Sequence, residues 1–355
     1  MGNRTTIKDL AAAAGVSIGA VHCALHGKPG VSKETRERIQ ALAKELSYAP
    51  NSAAASLKRK TLHIVASFPD SSDNSRFYFD FVWEGIAEYF KTQRDLNIEL
   101  IRLPFQLDNF SHAKQLRRCF SELKVDGLLT TGETDASGIA MIRELAAQIP
   151  VALVSTDVHD CKRLCCVLPN YSLTGELMAE LLARQITPAG SILISAGKSN
   201  TPSHYEIVNG LQSYFSKHRL PNQLYLFYPD GIGESAQKAL HDEILRIPNL
   251  QACAAVNTQG SLILGRTIHS MGLDGKVVAV GNDMFDENIA ALQNNTMTML
   301  INKKPFTQAY TAAQYLTEYL LFGHKPPFQT SFIQSEVIFQ SGLQMYVDGY
   351  LGRMR

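Results

Sequence analysis

The sequence lacks any apolar run that approaches the ~20 residues a helix needs to span a bilayer. Its amino terminus is polar and has no apolar stretch of the kind found in a secretion signal. We therefore expect a cytoplasmic protein with no membrane partner. Cysteine is also sparse, and Cys161, Cys165 and Cys166 do not have a zinc-site spacing. The six cysteines are predicted to be free thiols, with no metal site and no cofactor.

The net charge of +1 conceals a strong asymmetry along the chain. Residues 1–60 contain ten Lys or Arg and four Asp or Glu, whereas residues 61–355 contain 24 and 29. A basic end on a mildly acidic body indicates a polyanionic partner for that end alone. The alternative is a solvated charge run. The helical pattern in the same residues favours the first interpretation.

The spacing of apolar and capping residues predicts three short helices within residues 1–47. Thr6 can cap the first helix and Gly15 ends it. Ser17 can cap a second helix that runs to about Leu25, and Ser32 a third. Helix, turn, helix is the arrangement whose second helix enters the major groove of DNA. An all-α headpiece of the helix-turn-helix type is therefore predicted.

Residues 48–60 form a short, Ala-rich segment that follows the headpiece. Isolated helices shorter than ~12 residues are marginal in water, so this segment is predicted to be a hinge ordered by a partner. From Thr61 to about residue 350, apolar strands alternate with amphipathic helices, which predicts an α/β core of two doubly wound parallel sheets. Such sheets bind ligands at the carboxyl ends of their strands. The expected subdomains are about 61–165 with 298–327, and about 166–297 with 328–350.

Five segments of the amino-terminal region form a specific pattern: 6–11 (TIKDLA), 14–17 (AGVS), 27–32 (GKPGVS), 34–39 (ETRERI) and 46–51 (LSYAPN). They closely resemble the headpiece and hinge of the lactose-repressor (LacI) family of bacterial transcription regulators. Residues 61–345 are similar, more loosely, to that family's core, which has the type I periplasmic-binding-protein fold. The resemblance implies a homodimeric repressor that binds double-stranded operator DNA and is controlled by a sugar-like small-molecule effector.

The resemblance also implies which residues of the second helix read DNA. It places Ile18, Gly19, His22 and Cys23 on the side that faces the groove. Family members often carry arginine at the position of Cys23, and arginine reads guanine through a bidentate bond that cysteine cannot make. We therefore expect an operator unlike the family's common half-site. For His22, a base edge and a phosphate remain equally open as the contact.

The remaining predicted DNA contacts lie in the headpiece and the hinge. Basic residues there neutralise phosphates, which supplies affinity and register rather than sequence choice. By resemblance, Leu57 wedges into the centre of the operator from the minor groove; the alternative is that it packs on the core. The other candidates are Thr6, Lys8, Ser17, Lys33, Arg36, Asn51, Ala54 and Lys58, together with Arg4 and Arg59.

A sugar site needs hydrogen-bonding groups and a flat aromatic ring in a cleft. The resemblance implies that Asp283 and Asn257 bond the ligand and that Tyr78 and Phe79 face it. Each has a structural alternative, in which Asp283 is a helix cap, Asn257 is a turn residue, and Tyr78 and Phe79 are core residues. Many family members carry arginine at the position of Ile207, and its loss argues against an anionic ligand there. The further ligand candidates are Asp157, Tyr205 and Glu206.

Two other classes of protein compete with this interpretation. Residues 230–236 mimic a dinucleotide-binding fingerprint, but the next strand ends in Asn257 instead of the acidic residue that would hold a ribose. We therefore do not expect an enzyme. A transport-type sugar-binding protein is disfavoured by the basic headpiece and the missing export signal. The sequence leaves open the identity of the effector and whether it weakens or strengthens DNA binding. It also leaves open the operator sequence and whether the protein is a dimer or a tetramer.

Overall fold

The computed structural model describes residues 5, 7–25, 30–46, 61–70, 76–94, 96–106, 111–229, 231 and 233–346. The chain divides into two compact units, Met1–Leu62 with Gln93–Ile98, and His63–Thr92 with Glu99–Arg355. Among the described residues, no single helix is long and apolar enough to cross a membrane. One pair of consecutive helices in the amino-terminal unit, with a bend of 96° between them, would be long and apolar enough if taken together.

The amino-terminal unit contains the three predicted helices: α1 (Ile7–Ala14), α2 (Ile18–Leu25) and α3 (Lys33–Glu45). Gly15 ends α1 with a φ of +63°, a conformation that glycine adopts without strain. Ser32 caps α3 by accepting a hydrogen bond from the Thr35 N–H at 3.1 Å. The helices close over one apolar core. Its buried residues are Leu10, Ala11, Ala14, Val21, Ala24 and Ile39.

The second unit contains two six-stranded sheets, which confirms the predicted α/β core. Within each sheet the central strands are buried along their whole length, as expected for parallel strands covered on both faces. The strands are β1 (Leu62–Ser67), β2 (Ile98–Arg102), β3 (Gly127–Thr131), β4 (Val151–Val154), β5 (Cys165–Pro169), β6 (Ser191–Ser195), β7 (Gln223–Phe227), β8 (Leu250–Ala255), β9 (Val278–Asn282), β10 (Met299–Asn302), β11 (Thr330–Ile333) and β12 (Glu336–Ile338).

Helices connect these strands and cover both sheets. They are α4 (Arg76–Thr92), α5 (Ser111–Glu122), α6 (Ala136–Ala146), α7 (Tyr171–Ala183), α8 (Pro202–Lys217), α9 (Glu234–Arg246), α10 (Thr258–Ser270), α11 (Asp286–Gln293), α12 (Pro305–Phe322) and α13 (Leu343–Met345), which follows a 3₁₀ turn at Gln340–Gly342. We call the part built on the sheet β11-β5-β4-β3-β1-β2 the first lobe, and the part built on β12-β10-β9-β8-β6-β7 the second lobe.

The expected subdomain boundaries were wrong at three strands. β5 belongs to the first lobe, where it pairs with β4, and β11 joins it there through the register Thr330 to Cys166. β10 belongs to the second lobe, where it pairs with β9. Local apolar patterns locate a strand but do not specify its partner, because pairing is decided by contacts distant in sequence. β12, which was not predicted, pairs antiparallel to β10 at the edge of the second sheet.

Helices α7 and α8 approach each other closely through two glycines. A Cβ atom on Gly175 would overlap the carbonyl oxygen of Ile207, and one on Gly210 would overlap that of Ser172. This packing fixes the start of α8 against the second lobe. It therefore also fixes the orientation of the first two turns of α8, which contain His204 and Ile207.

Candidate functional site

The outer side of α2 in the amino-terminal unit is the first candidate site. Val21 and Ala24 point into the core of the headpiece. Ile18 is 45% exposed although its side chain is apolar, and Gly19 is exposed beside it. Ser17 caps the helix by accepting a hydrogen bond from the Ala20 N–H at 3.2 Å. This arrangement leaves the start of α2 exposed, and its contact with DNA stays a prediction.

The basic residues of the headpiece have two different environments. Lys8 and Lys33 are exposed, as a phosphate contact requires. Arg36 instead donates hydrogen bonds to the carbonyl oxygens of Cys23 (3.2 Å) and Ala24 (3.4 Å) at the end of α2. A cation at a helix carboxyl terminus stabilises that end. The structure thus gives Arg36 a role in holding α2, and its phosphate contact stays a prediction.

Several predicted DNA contacts lie outside the described residues. Of His22, the structure describes the backbone alone, within α2, and Cys23 in the next position is half-buried. The predicted hinge lies outside as well. The predictions concerned are Arg4, Thr6, Asn51, Ala54, Leu57, Lys58 and Arg59.

The second candidate site is a cavity of about 310 Å³ between the two lobes, which we call the cleft. Its walls are formed by residues that follow the carboxyl ends of strands in both sheets, as expected for doubly wound folds. Examples are Glu133 after β3, Ser155 after β4 and Lys198 after β6. Ser155 adopts a φ of +67°, so the chain turns sharply there, and its hydroxyl donates to Gln308 Oε1 at 3.0 Å.

The predicted aromatic pair lies in the cleft. The rings of Tyr78 and Phe79 on α4 are in edge-to-face contact, with 5.3 Å between their centroids. The Tyr78 hydroxyl lies 2.7 Å from Ser155 Oγ and donates to Gln308 Oε1 at 3.2 Å. Burial and the nearby Asp283 carboxylate raise the pKa of Tyr78, so its phenol remains neutral. This group contributes a fixed aromatic surface and hydroxyl groups.

Asn257 also lines the cleft, next to His204. The Lys198 N–H donates to His204 Nδ1 at 3.0 Å, so a neutral His204 carries its proton on Nε2. Asn257 Oδ1 accepts from the Gly260 N–H at 2.6 Å, which directs its NH₂ group toward Nε2 at 3.2 Å. Two donors therefore face each other and do not satisfy one another. A ligand oxygen placed beside them would accept from both.

His204 is neutral at physiological pH. Burial in the wall of the cleft, together with the nearby Lys303 ammonium, lowers its pKa to about 4. The second lobe therefore offers neutral donors at this point instead of a cation.

Asp283 does not line the cleft, although it was predicted to bond the ligand. Its side chain is fully buried, and Lys303 Nζ lies 2.8 Å from Asp283 Oδ2. Lys303 Nζ also donates to Asn282 Oδ1 at 3.1 Å and lies 5.8 Å from the centre of the Tyr78 ring. Burial raises the pKa of Asp283 while Lys303 opposes that change. Lys303 is the member of the pair that reaches the cleft.

The structure does not bring Asp157, Tyr205 or Glu206 to the cleft. Asp157 Oδ2 is bound by Arg163 at 2.5 Å, and the same carboxylate accepts the Val158 N–H. Tyr205 is 51% exposed on the other side of α8, and Glu206 follows it. The helical phase instead directs three neighbouring residues into the wall. These are Ser203, His204 and Ile207.

Sequence reasoning missed Glu133, Lys198 and Lys303 as candidates. Each follows a strand end, which is the signal that would have found them. It also missed His112, which is buried on α5 and contacts Glu133. No group of three or more His, Cys, Asp or Glu that could hold a metal occurs among the residues described, and the six cysteines are free.

The comparisons with known proteins match both units. Residues 65–325 match the periplasmic binding protein domain, and residues 6–51 match the bacterial regulatory proteins of the lacI family. The maltose regulon regulatory protein MalI of Escherichia coli K12 is 27% identical over 88% of this chain and 89% of its own length. The HTH-type transcriptional regulator DegA of Bacillus subtilis is 29% identical over 43% of this chain, and the match spans 44% of that protein.

A solved structure with the same core fold is a periplasmic solute binding protein from Actinobacillus succinogenes with bound D-allose. Its TM-score is 0.69 at 18% identity, over 81% of this chain and all of the other. A helix-turn-helix headpiece joined to such a two-lobed core defines a DNA-binding transcription regulator. The chain belongs to the lacI family of bacterial regulatory proteins.

Proposed function

We propose that this protein is a repressor that binds operator DNA as a homodimer, and that a neutral sugar or sugar derivative in the cleft controls its affinity for DNA. The observation that supports the proposal is the occurrence, in one chain, of a headpiece with an exposed recognition helix and a cleft lined by hydroxyls, amides and aromatic rings. The same polar and aromatic composition is typical of sites for polyhydroxylated ligands.

At the part of the second-lobe wall formed by His204, Ile207 and Lys303, no uncompensated charge faces the cleft, which supports a neutral ligand there. The Lys303 ammonium is neutralised by Asp283, and His204 carries no charge at pH 7 because its pKa lies near 4. Ile207 adds an apolar side chain to the same wall. MalI regulates a maltose regulon and the solute binding protein named above holds D-allose, which agrees with a sugar as the class of effector.

Control through the cleft requires that the effector bind two arrangements of the lobes with different affinity. In the structure the lobes contact each other through an aromatic cluster of Phe77 on α4 with Leu262 and Phe285 of the second lobe. The rings of Phe77 and Phe285 lie 4.8 Å apart. This contact supports a closed arrangement as one of the two states, and the effector would change the fraction of molecules that occupy it.

The proposal is tested by DNA binding of the purified full-length chain. Labelled fragments that flank its own gene would be titrated in a mobility-shift assay, with and without a panel of neutral sugars. We expect one fragment to be bound far more tightly than unrelated DNA of equal length, and one sugar to change that affinity. Failure to prefer any genomic fragment, with or without sugars, would contradict the proposal.

Replacing Cys23 with arginine is expected to change the operator that the protein prefers. An arginine at this position of α2 can bond guanine O6 and N7, which favours a G·C pair by about 1–3 kcal/mol. A binding-site selection on random duplexes would show the new preference at one symmetric pair of positions. The exposed Lys8→Gln variant serves as the control, because it removes charge from the headpiece and should leave the selected sequence unchanged. An unchanged preference for C23R would contradict the assignment of α2 to the groove.

Replacing Leu57 with alanine is expected to weaken operator binding about tenfold or more while leaving non-specific binding nearly unchanged, because an apolar wedge acts on a deformed operator and not on straight DNA. Fluorescence anisotropy at matched salt with operator and with scrambled duplex measures both affinities. Lys58→Gln is the control, since losing a phosphate contact weakens the two kinds of binding by similar factors. Equal losses in L57A would exclude the wedge.

A further inference from the structure

A buried histidine, His112 on α5, lies behind the wall of the cleft in the first lobe. Its Nδ1 lies 2.5 Å from Glu133 Oε1, and its Nε2 lies 2.9 Å from Ser67 Oγ. The side chain of His112 is 6% exposed, and that of Glu133 is 19% exposed. The ring of Phe105 stacks on the imidazole with 3.6 Å between the ring centres. His112 is therefore closed off from the cleft, whereas Glu133 and Phe105 line it.

The hydrogen bonds fix the protons of this group. The Ser67 hydroxyl donates its single hydrogen to the carbonyl oxygen of Leu103 at 2.8 Å. Ser67 Oγ can then only accept, so His112 Nε2 carries a hydrogen. The contact between Nδ1 and Glu133 Oε1 contains one further proton. With this proton on His112, as an imidazolium bound to a carboxylate, both oxygens of Glu133 are left as acceptors.

The backbone and a close neighbour hold Glu133 in this position. It lies two residues after the end of β3, in the loop that leads into α6. Its methylene groups pack against Gly138, where a Cβ atom would overlap them. With Oε1 bound to His112, the second carboxylate oxygen remains to accept a hydrogen bond. Glu133 lines the cleft from the first lobe, and the donors His204 and Asn257 line it from the second.

We propose that Glu133 determines which ligand the cleft accepts, and that His112 and Ser67 position its carboxylate to receive a hydroxyl hydrogen of a neutral sugar. This inference depends on the ligand-binding role of the cleft proposed above. His112 and Ser67 act through Glu133 and are positioning residues.

The two walls of the cleft then have complementary polarity. Glu133 accepts on the first lobe, while His204 Nε2 and Asn257 Nδ2 donate on the second. A hydroxyl group satisfies both because it donates and accepts at once. A ligand carboxylate or phosphate next to Glu133 would bring two like charges together in a partly buried site, which disfavours its binding. The pair therefore selects against sugar acids and sugar phosphates in that orientation.

The experiment measures affinity by calorimetry on the full-length chain with a panel of free aldopentoses and aldohexoses, the corresponding uronic acids and the corresponding sugar phosphates. We expect a neutral aldose to bind most tightly. Glu133→Gln should then lower its affinity about tenfold, because a hydrogen bond to a neutral acceptor is weaker than one to a carboxylate. The control is Glu99→Gln, which alters a histidine–carboxylate pair with His63 on the same lobe but away from the cleft.

A double-mutant comparison separates positioning from simple structural support. If His112 acts through Glu133, His112→Gln lowers the affinity in the wild-type background, and the combined variant binds no more weakly than Glu133→Gln alone. The protonation of His112 is measured independently in the unmutated protein. Nitrogen-15 spectra of histidine-labelled protein at pH 7 should show both ring nitrogens of His112 protonated, with the signal assigned by its loss in His112→Gln.

Each result decides the inference. Tighter binding of a uronic acid or a sugar phosphate, or full affinity in Glu133→Gln, would overturn the role of Glu133 while leaving ligand control in place. A singly protonated His112, or additive losses in the double variant, would overturn the positioning role. Binding of no panel member would overturn the assigned ligand class, and the mobility-shift assay with genomic fragments judges DNA binding separately.

Discussion

Replacing Asp283 with alanine is expected to lower the free energy of unfolding by about 3–5 kcal/mol, because it leaves a buried ammonium without its counter-charge. The Lys303 side chain is 6% exposed and that of Asp283 is fully buried, so solvent screens the pair weakly. The Lys303 backbone N–H also donates to Asp283 Oδ1 at 3.3 Å. Asn282 Oδ1 is the one further acceptor that the described contacts give to the ammonium, and a neutral oxygen compensates a charge incompletely.

Urea unfolding followed by circular dichroism measures the loss in Asp283→Ala. The matched control is Glu180→Ala, which breaks the exposed ion pair of Glu180 with Arg184 on α7. An exposed pair contributes about 0–1 kcal/mol, so this variant should unfold nearly as the wild type does. A combined Asp283→Leu and Lys303→Met variant removes both charges and should recover most of the stability. Equal, small losses in D283A and E180A would contradict a buried pair at this position.

The order of helices and strands was readable from the sequence because burial imposes a local pattern. The alternation of apolar strands and amphipathic helices predicted from Thr61 onward is present in the structure, and in β3, for example, each residue is buried. Capping residues predicted the helix starts equally well, as Ser32 shows at α3. The lobe to which β10 belongs could not be predicted from the sequence. Its neighbours in the sheet are β9, which precedes it in the chain, and β12, which follows it, and the choice of these neighbours depends on contacts across the whole sheet.

The sequence predicted the location of the candidate site in outline, but several of the side chains predicted to line it lie outside the cleft. The resemblance to the LacI family pointed to Asn257, which lines the cleft. The same resemblance pointed to Asp283, but that side chain is buried and paired with Lys303, which lies twenty positions further along the chain. On α8, a shift of one or two positions separates Tyr205 and Glu206 from His204, which faces the cleft. Helical phase becomes certain only when the packing partner of the helix is known.

The stability of the second lobe is expected to fall as the pH is lowered from 6.5 to 4, because His204 is held neutral in the folded protein. Burial, with the Lys303 ammonium nearby, lowers the pKa of His204 from 6.5 to about 4. Between these values the unfolded chain binds a proton that the folded chain does not, so acid favours unfolding. The contribution of neutral His204 to the free energy of unfolding is fully present above pH 6.5 and is lost below pH 4. Its size is about 3 kcal/mol, from 1.36 kcal/mol per pH unit.

Chemical denaturation at several values between pH 4 and 6.5 measures this slope. His204→Gln keeps an acceptor for the Lys198 N–H but cannot take up the proton, so its stability should depend less on pH than that of the wild type by about 3 kcal/mol over the range. The control is His218→Gln, which removes an exposed histidine at the other end of α8, away from the cleft. Parallel pH profiles for wild type and H204Q would show that the pKa of His204 is not lowered in the folded state, which would contradict its burial in the wall of the cleft.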